Sequence, residues 1–310
     1  MSTWADERVD PAIVVDPPAR KRRVPRRAKR PSRAAAIAAA SLVGLAGLAL
    51  WFLFFSLVLT SLQQHGSQAR LYARLREELA NATAPLGGYI TNGSPVALLD
   101  AHIPGMESLV VVEGTSSGDL MLGPGHRRDT PLPGQRGTSV IFGRSVTYGA
   151  PFRSLSHLAV GDRIDVTTGQ GRFAFRVEDL RGPGDPLPPP VGSDGSRLTM
   201  VTAASSGWRS GWAPDHAMYV DASLIDADPV PAPAGRPTTI LPNEHAMAGD
   251  GSARTLALFW LQEVVLVGAA FIWARRRWGP WQTWIAGVPL ALGVLWGAAG
   301  AGLRLWPNLI

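Results

Sequence analysis

No cysteine occurs among the 310 residues. Its absence excludes disulfide bonds and any thiol nucleophile in the chain. The six histidines fall at no spacing that a metal site requires, so neither a metal nor another cofactor is expected. Internal repeats are missing too. So is a small-residue A-x-A cleavage site behind the first apolar run, which therefore reads as a retained anchor rather than a removed leader.

What the chain has instead is long apolar stretches. Residues 34–60 carry no charge, enough for a tilted helix across a hydrocarbon core of about 30 Å. A second stretch, 253–274, is interrupted from Thr255 onward only by Gln262 and Glu263, and a third, 280–304, contains Pro289 as a tolerated kink. Trp260, Trp273, Trp278, Trp281, Trp284 and Trp306 cluster near their ends, as interfacial aromatic belts do. Three transmembrane helices are expected. An ionised carboxylate within such a helix is costly, so Glu263 is expected to be paired or to line a contact between helices.

The net charge of +6 would suit a nucleic-acid binder, but its location argues otherwise. Residues 1–33 hold about ten Arg and Lys against four acidic residues, an excess equal to the whole net charge. This basic, Pro-rich tail is read as disordered and cytoplasmic, either resting on anionic membrane lipids or serving purely as a topology signal. The densest positive clusters are residues 20–30 and Arg275-Arg276-Arg277. Positive flanks stay cytoplasmic. Both clusters meet that rule only if the amino terminus is inside and the region between the first two spans is outside. The expectation is a multi-pass protein of the cell membrane with its main domain extracytoplasmic and no nucleic-acid partner.

That exterior region divides by pattern. Residues 61–94 read as a stalk helix with Leu71, Leu75 and Leu79 on one face, continuing the membrane helix or packing on the domain, followed by a flexible linker. Residues 95–225 turn to short β-type runs at 108–114, 138–143, 162–168, 172–180, 197–203 and 216–224, separated by Gly-rich turns. Such spacing indicates one closed β-barrel or sandwich. The Pro-rich stretch 182–192 must be an exposed loop. Residues 226–252 read as a second linker.

Within the β region, VALLDAHIPGMESLVVVEG (96–114), GPGHRRDTPLPGQRGTSVIFG (123–143), TYGAPFRSLSHLAVGDRIDV (147–166) and RLTMVTAAS (197–205) follow one another in order. Together they resemble the sortases, the transpeptidases that attach surface proteins to bacterial cell walls, most nearly the actinobacterial class D/E type. The resemblance implies an all-β, eight-stranded barrel outside the membrane, with a groove for an extended L-P-x-T-G sorting peptide. In sortases a Cys attacks the substrate, a His serves as acid and base, and an Arg stabilises the oxyanion. Carried over residue by residue, each seat fails. The T-L-x-T-C motif ends at Ala203, the G-H-R histidine is Arg144, and the arginine seat falls at His216 or Ala217.

The resemblance therefore implies a pseudoenzyme, a membrane-anchored module that binds a protein or a sorting-signal-like peptide at the cell surface. Its groove candidates are Arg144, His126, Thr202, Ser205, Arg209 and His216. His126, part of GPGH, is read as structural or groove-lining. His102, His157 and His245 are read as ordinary surface residues. Arg144 could hold a carboxylate or carbonyl, or form a plain structural ion pair. The competing reading is an active transpeptidase that uses Ser145, Ser205 or Ser206, with His216 as a candidate base, or that borrows residues from a partner subunit.

Overall fold

The computed structural model describes residues 32–205 and 214–310. Three helices are long and apolar enough to cross a membrane: Arg33–Ala80, Ala253–Arg277 and Pro280–Arg304. The first comprises α1 (Arg33–Phe54), a π-turn (Phe55–Leu59) and α2 (Thr60–Ala80) in one unbroken run. Its 48 residues are far more than the ~20 a bilayer core needs. Its second half packs on the barrel, burying Gln64, Ser67 and Leu75, while Leu71 and Leu79 are half-buried. The remaining helices, α3 (Ala253–Arg277) and α4 (Pro280–Arg304), form a hairpin. In it Glu263 is half-buried, with no ion-pair partner among the described residues.

Between α2 and α3 the strands β1 (Pro95–Asp100), β2 (Leu109–Glu113), β3 (Gly125–His126), β4 (Gly137–Phe142), β5 (Arg163–Thr168), β6 (Gly171–Arg181), β7 (Ser196–Ala204) and β8 (His216–Ile225) close a barrel. Their order is β1-β2-β3-β4-β7-β8-β6-β5, closing back on β1. The β2–β3 and β4–β7 pairs are parallel and the others antiparallel. Strand alternation sends Leu99, Val111, Ile141, Val166, Phe175, Leu198, Met200 and Val220 into one interior cluster. Residues 182–195 contain no strand or helix, as the prolines require.

On β7 the outward set is buried as well. Thr199, Val201 and Ala203 are 6%, 0% and 4% exposed. Their cover comes from two segments outside the barrel strands, Ala246-Met247 and Leu309-Ile310, which join Phe142, Val140, Ala217 and Tyr219 in a second cluster. The stretch 226–252 thus does more than connect. Val230 bridges to Gln135, and Glu244, 1% exposed, pairs with Arg128 at 2.8 Å.

The Gln68 amide ties the middle of α2 to the barrel. Gln68 accepts from the Val110 N–H at 2.8 Å and donates to the Val110 and Leu122 carbonyls at 3.0 and 2.9 Å. Gly123 leaves room for it, since a Cβ there would lie 2.1 Å from Gln68 Nε2. Gln68→Ala leaves these backbone groups without that partner and is expected to cost about 1–3 kcal/mol. Thermal unfolding of the detergent-solubilised chain checks this, and an unchanged midpoint would show that the amide anchors nothing.

Candidate functional site

The topology brings Arg144, Ala203 and Ala217, the three positions the resemblance marks, to one end of the barrel. The parallel β4–β7 ladder sets Phe142 beside Val201 and continues with the Gly143 N–H donating to the Val201 carbonyl at 2.9 Å. Thr202 Oγ1 donates to the Gly143 carbonyl at 2.9 Å, which places Arg144 next to the end of β7. The β7–β8 register then sets Ala203 opposite Ala217. Gly143 is required by close approach, for a Cβ there would stand 2.3 Å from the Phe152 ring.

Arg144 is fully buried. Its Nη1 donates to Thr147 Oγ1 and to the Ile310 carbonyl, both at 3.1 Å, and its Nη2 to the Ser117 carbonyl and hydroxyl at 3.0 and 2.8 Å. The guanidinium carbon stands 5.1 Å from the centre of the Tyr148 ring. Nε has no partner, and among the described residues no side-chain carboxylate pairs with this cation. Burial lowers its pKa to about 10, so it stays charged at neutral pH and cannot shuttle protons.

Leu309 and Ile310 lie across this end. The Leu309 carbonyl accepts from Ser145 N at 2.9 Å and Ser145 Oγ at 3.2 Å, and the Ile310 carbonyl accepts from Thr147 Oγ1 at 2.6 Å. The Leu309 side chain is wholly buried in the cluster with Leu120, Phe142, Val201 and Ala203. Asn308, also fully buried, donates to the carbonyls of Thr115 and His245 at 2.8 and 3.0 Å. Beside this occupied end lies an open cavity of about 540 Å³ against Val140, Phe142, Val201, Tyr219 and Leu187. Arg181, paired with Asp221 and 5.1 Å from the centre of the Tyr219 ring, borders it.

The other candidates are distributed as follows. His126 is 2% exposed and engaged at both ring nitrogens, Nδ1 with Glu113 at 2.8 Å and Nε2 with the Pro131 carbonyl at 3.0 Å. Both ring nitrogens are thus held by partners inside the barrel. Thr202 is committed to the Gly143 carbonyl. His216 is half-buried and pairs with Asp215 at 2.7 Å. It sits opposite Ala204, so strand alternation directs it to the face opposite Ala203. Ser205 lies one residue past the end of β7. Arg209 and Ser206 lie outside the described residues. Of the surface histidines, His157 and His245 are exposed, whereas His102 is held by Asp165 at 2.8 Å, a bond that raises its pKa. Among the described residues no cluster could hold a metal ion.

Sequence reasoning missed Ser117, Thr147 and the 306–310 segment. Leu309 and Ile310 stand beyond the last apolar span as an apolar pair after Trp306-Pro307-Asn308, and nothing in their pattern pointed to the barrel.

Residues 102–204 match the family model described as the sortase domain, a stretch ending one residue past Ala203. No curated protein matches the chain. Among solved structures, a Clostridium perfringens sortase D5 transpeptidase is 24% identical over 52% of this chain and 99% of its own, with a TM-score of 0.42. Sortase E from Streptomyces avermitilis is 29% identical over 44% and 91%, at 0.35. The SrtF sortase from Corynebacterium diphtheriae is 26% identical over 46% and 91%, at 0.37. The fold is the closed eight-stranded barrel typical of sortases, and the chain carries it alongside helices long and apolar enough to span a membrane.

Lysine cannot reproduce the fork that Arg144 presents to Ser117, Thr147 and Ile310, because it is a point charge with three donors. Arg144→Lys is expected to lower stability by about 1–3 kcal/mol. Denaturant unfolding measures the loss, and full stability in the lysine variant would show that the fork is dispensable.

Proposed function

We propose that this protein is a membrane-anchored recognition module built on the sortase fold, and that it does not carry out transpeptidation. The observation that supports this most directly is the chemistry of the three seats. Ala203 offers a methyl group where acyl transfer needs a nucleophile, and Arg144 offers a retained positive charge where it needs a proton shuttle. Ala217 offers a second methyl group where the resemblance expects an arginine.

What the site does supply is binding chemistry for peptide backbone. Arg144, Ser145 and Thr147 all donate to main-chain oxygens of the turn at 307–310. Under this reading the partner is a sorting-signal-like peptide or a surface protein presenting one. The positive runs 20–30 and 275–277 favour a multi-pass arrangement with the barrel outside the cell membrane and the basic tail against inner-leaflet lipids.

The serine-based alternative gains little from the geometry. Ser145 Oγ donates to the Leu309 carbonyl, and His216 pairs with Asp215. The test is direct. The full chain in detergent is incubated with a fluorogenic L-P-x-T-G-type peptide and an amine, with cleavage followed by fluorescence and adducts by intact mass. No turnover above buffer is expected, and Ala203→Cys alone is expected to remain inactive because Arg144 cannot act as its base. A serine-linked acyl adduct on the unaltered chain would overturn the proposal.

A further inference from the structure

We propose that residues 306–310 are a built-in ligand of the barrel's recognition site, and that a partner peptide bearing an aliphatic residue beside an acidic side chain competes with them for Arg144. This rests on the recognition reading above and adds the ligand class and the means of control.

Three observations carry it. Within the turn that the Ile310 N–H closes onto the Pro307 carbonyl at 3.1 Å, Leu309 and Ile310 are held as a receptor holds a peptide. Backbone carbonyls are read by Ser145, Thr147 and Arg144, and one aliphatic side chain fills a closed seat between Phe142, Val201 and Ala203. Nothing in these bonds requires the segment to come from the same chain.

The occupant also matches the site incompletely. Arg144 Nε is buried without an acceptor, and the cation has no side-chain carboxylate partner among the described residues. Asn308 Oδ1 is likewise buried and unpaired. A buried donor left without an acceptor is expensive, so a ligand that brings an acidic side chain to Arg144 Nε gains a bond the resident segment does not make.

Finally, the site has an entrance. The open cavity of about 540 Å³ shares Phe142, Val201 and Ala246 with the cluster around Leu309, so an incoming peptide can engage the groove before the segment leaves. A tethered segment acts at an effective concentration of about millimolar or higher. Weak ligands therefore fail, and only one with the added charge-assisted bond succeeds.

Displacement would be felt at the membrane hairpin. The segment follows α4 directly, where the Arg304 carbonyl accepts from Asp250 N and the Asn308 N–H donates to the Ala248 carbonyl.

The probe is the synthetic pentapeptide Trp-Pro-Asn-Leu-Glu, blocked at both ends, compared with its neutral counterpart Trp-Pro-Asn-Leu-Gln. In the otherwise cysteine-free chain, Leu309→Cys places a single thiol on the segment. Its labelling by a water-soluble maleimide is expected to be slow, and to accelerate about tenfold or more with millimolar acidic peptide but not with the neutral one. One charge-assisted bond of about 1.4 kcal/mol corresponds to that factor. A second variant ending at Leu305 is expected to bind labelled acidic peptide at least about tenfold tighter than the full chain does.

Rapid labelling of the Leu309→Cys variant from the outset would show that the segment is not docked and overturn the proposal. Equal effects of the acidic and neutral peptides would overturn the assigned ligand class. Peptide binding to the shortened chain without faster labelling of Leu309→Cys would remove the competition while leaving recognition intact. No binding to a shortened chain that still unfolds cooperatively would remove the site itself. Should the shortened chain not fold, the labelling rates of Leu309→Cys decide alone. None of these outcomes depends on transpeptidation, which the turnover assay reads separately.

Discussion

A guanidinium taken fully out of water must be surrounded by acceptors, and at Arg144 that requirement organises one whole end of the barrel. Its acceptors come from three places far apart in sequence: the turn at Ser117, the loop after β4 at Thr147, and Ile310 beyond the last helix. The Tyr148 ring supplies a further electron-rich surface. Because burial lowers its pKa, the charged form works against folding at every pH below about 10, and that penalty is relieved only as pH rises from there towards the free value. The surrounding hydrogen bonds are therefore what makes the burial tolerable, and losing any one of them leaves the others to hold a charge they only just satisfy.

The same neighbourhood ties the barrel to the helices. Tyr148, beside Arg144, donates its N–H to Thr60 Oγ1 at 3.0 Å, and Thr60 in turn donates to the Ser56 carbonyl across the π-turn at 2.6 Å. Its ring packs with Phe55, Met121, Ala299 and Leu303, so the first helix, the barrel and the end of α4 share one apolar cluster. A π-turn widens the helix by one residue and commonly marks a functional or packing irregularity. Here it coincides with buried Phe55 and Ser56. Within the α3–α4 hairpin, close approach depends on small residues: a Cβ at Gly297 would meet Trp260 at 2.5 Å, and one at Gly287 would meet Phe271 at 2.6 Å.

Much of this architecture was legible because its signals are local. Alternation over 162–168 or 197–203 is a property of a few adjacent side chains, and the observed β5 and β7 fall on those runs with shifts of a single residue. The apolar spans were legible for the same reason. β3 was not, because two residues, Gly125 and His126, are too few to show a period. The stalk helix, expected to continue the first span or to pack on the domain, runs on from that span and lies against β1 and β2. At the site, the resemblance marked Arg144, Ala203 and Ala217, and topology brings them together. What no local pattern could show is that Leu309, separated from all three by the α3–α4 hairpin, covers the same face. Long-range burial of an apolar residue looks the same in sequence as exposure, and only the strand order reveals the empty face it fills.

These substitutions change what binding energy can accomplish. Catalysis requires contacts that strengthen as charge develops in the transition state, whereas contacts made equally to the ground state only hold the ligand. Under the proposed recognition role no covalent bond begins at Ala203, and the donors of Arg144, Ser145 and Thr147 meet only ground-state oxygens. On that reading, geometry that would accelerate a reaction in an enzyme goes into affinity and residence time, and such a groove needs a way to let go because no product forms to loosen its grip. A covalently attached competitor that leaves Arg144 Nε without an acceptor is one physical solution. It would set a threshold that partners must exceed and would refill the site, burying Leu309 again, as they leave.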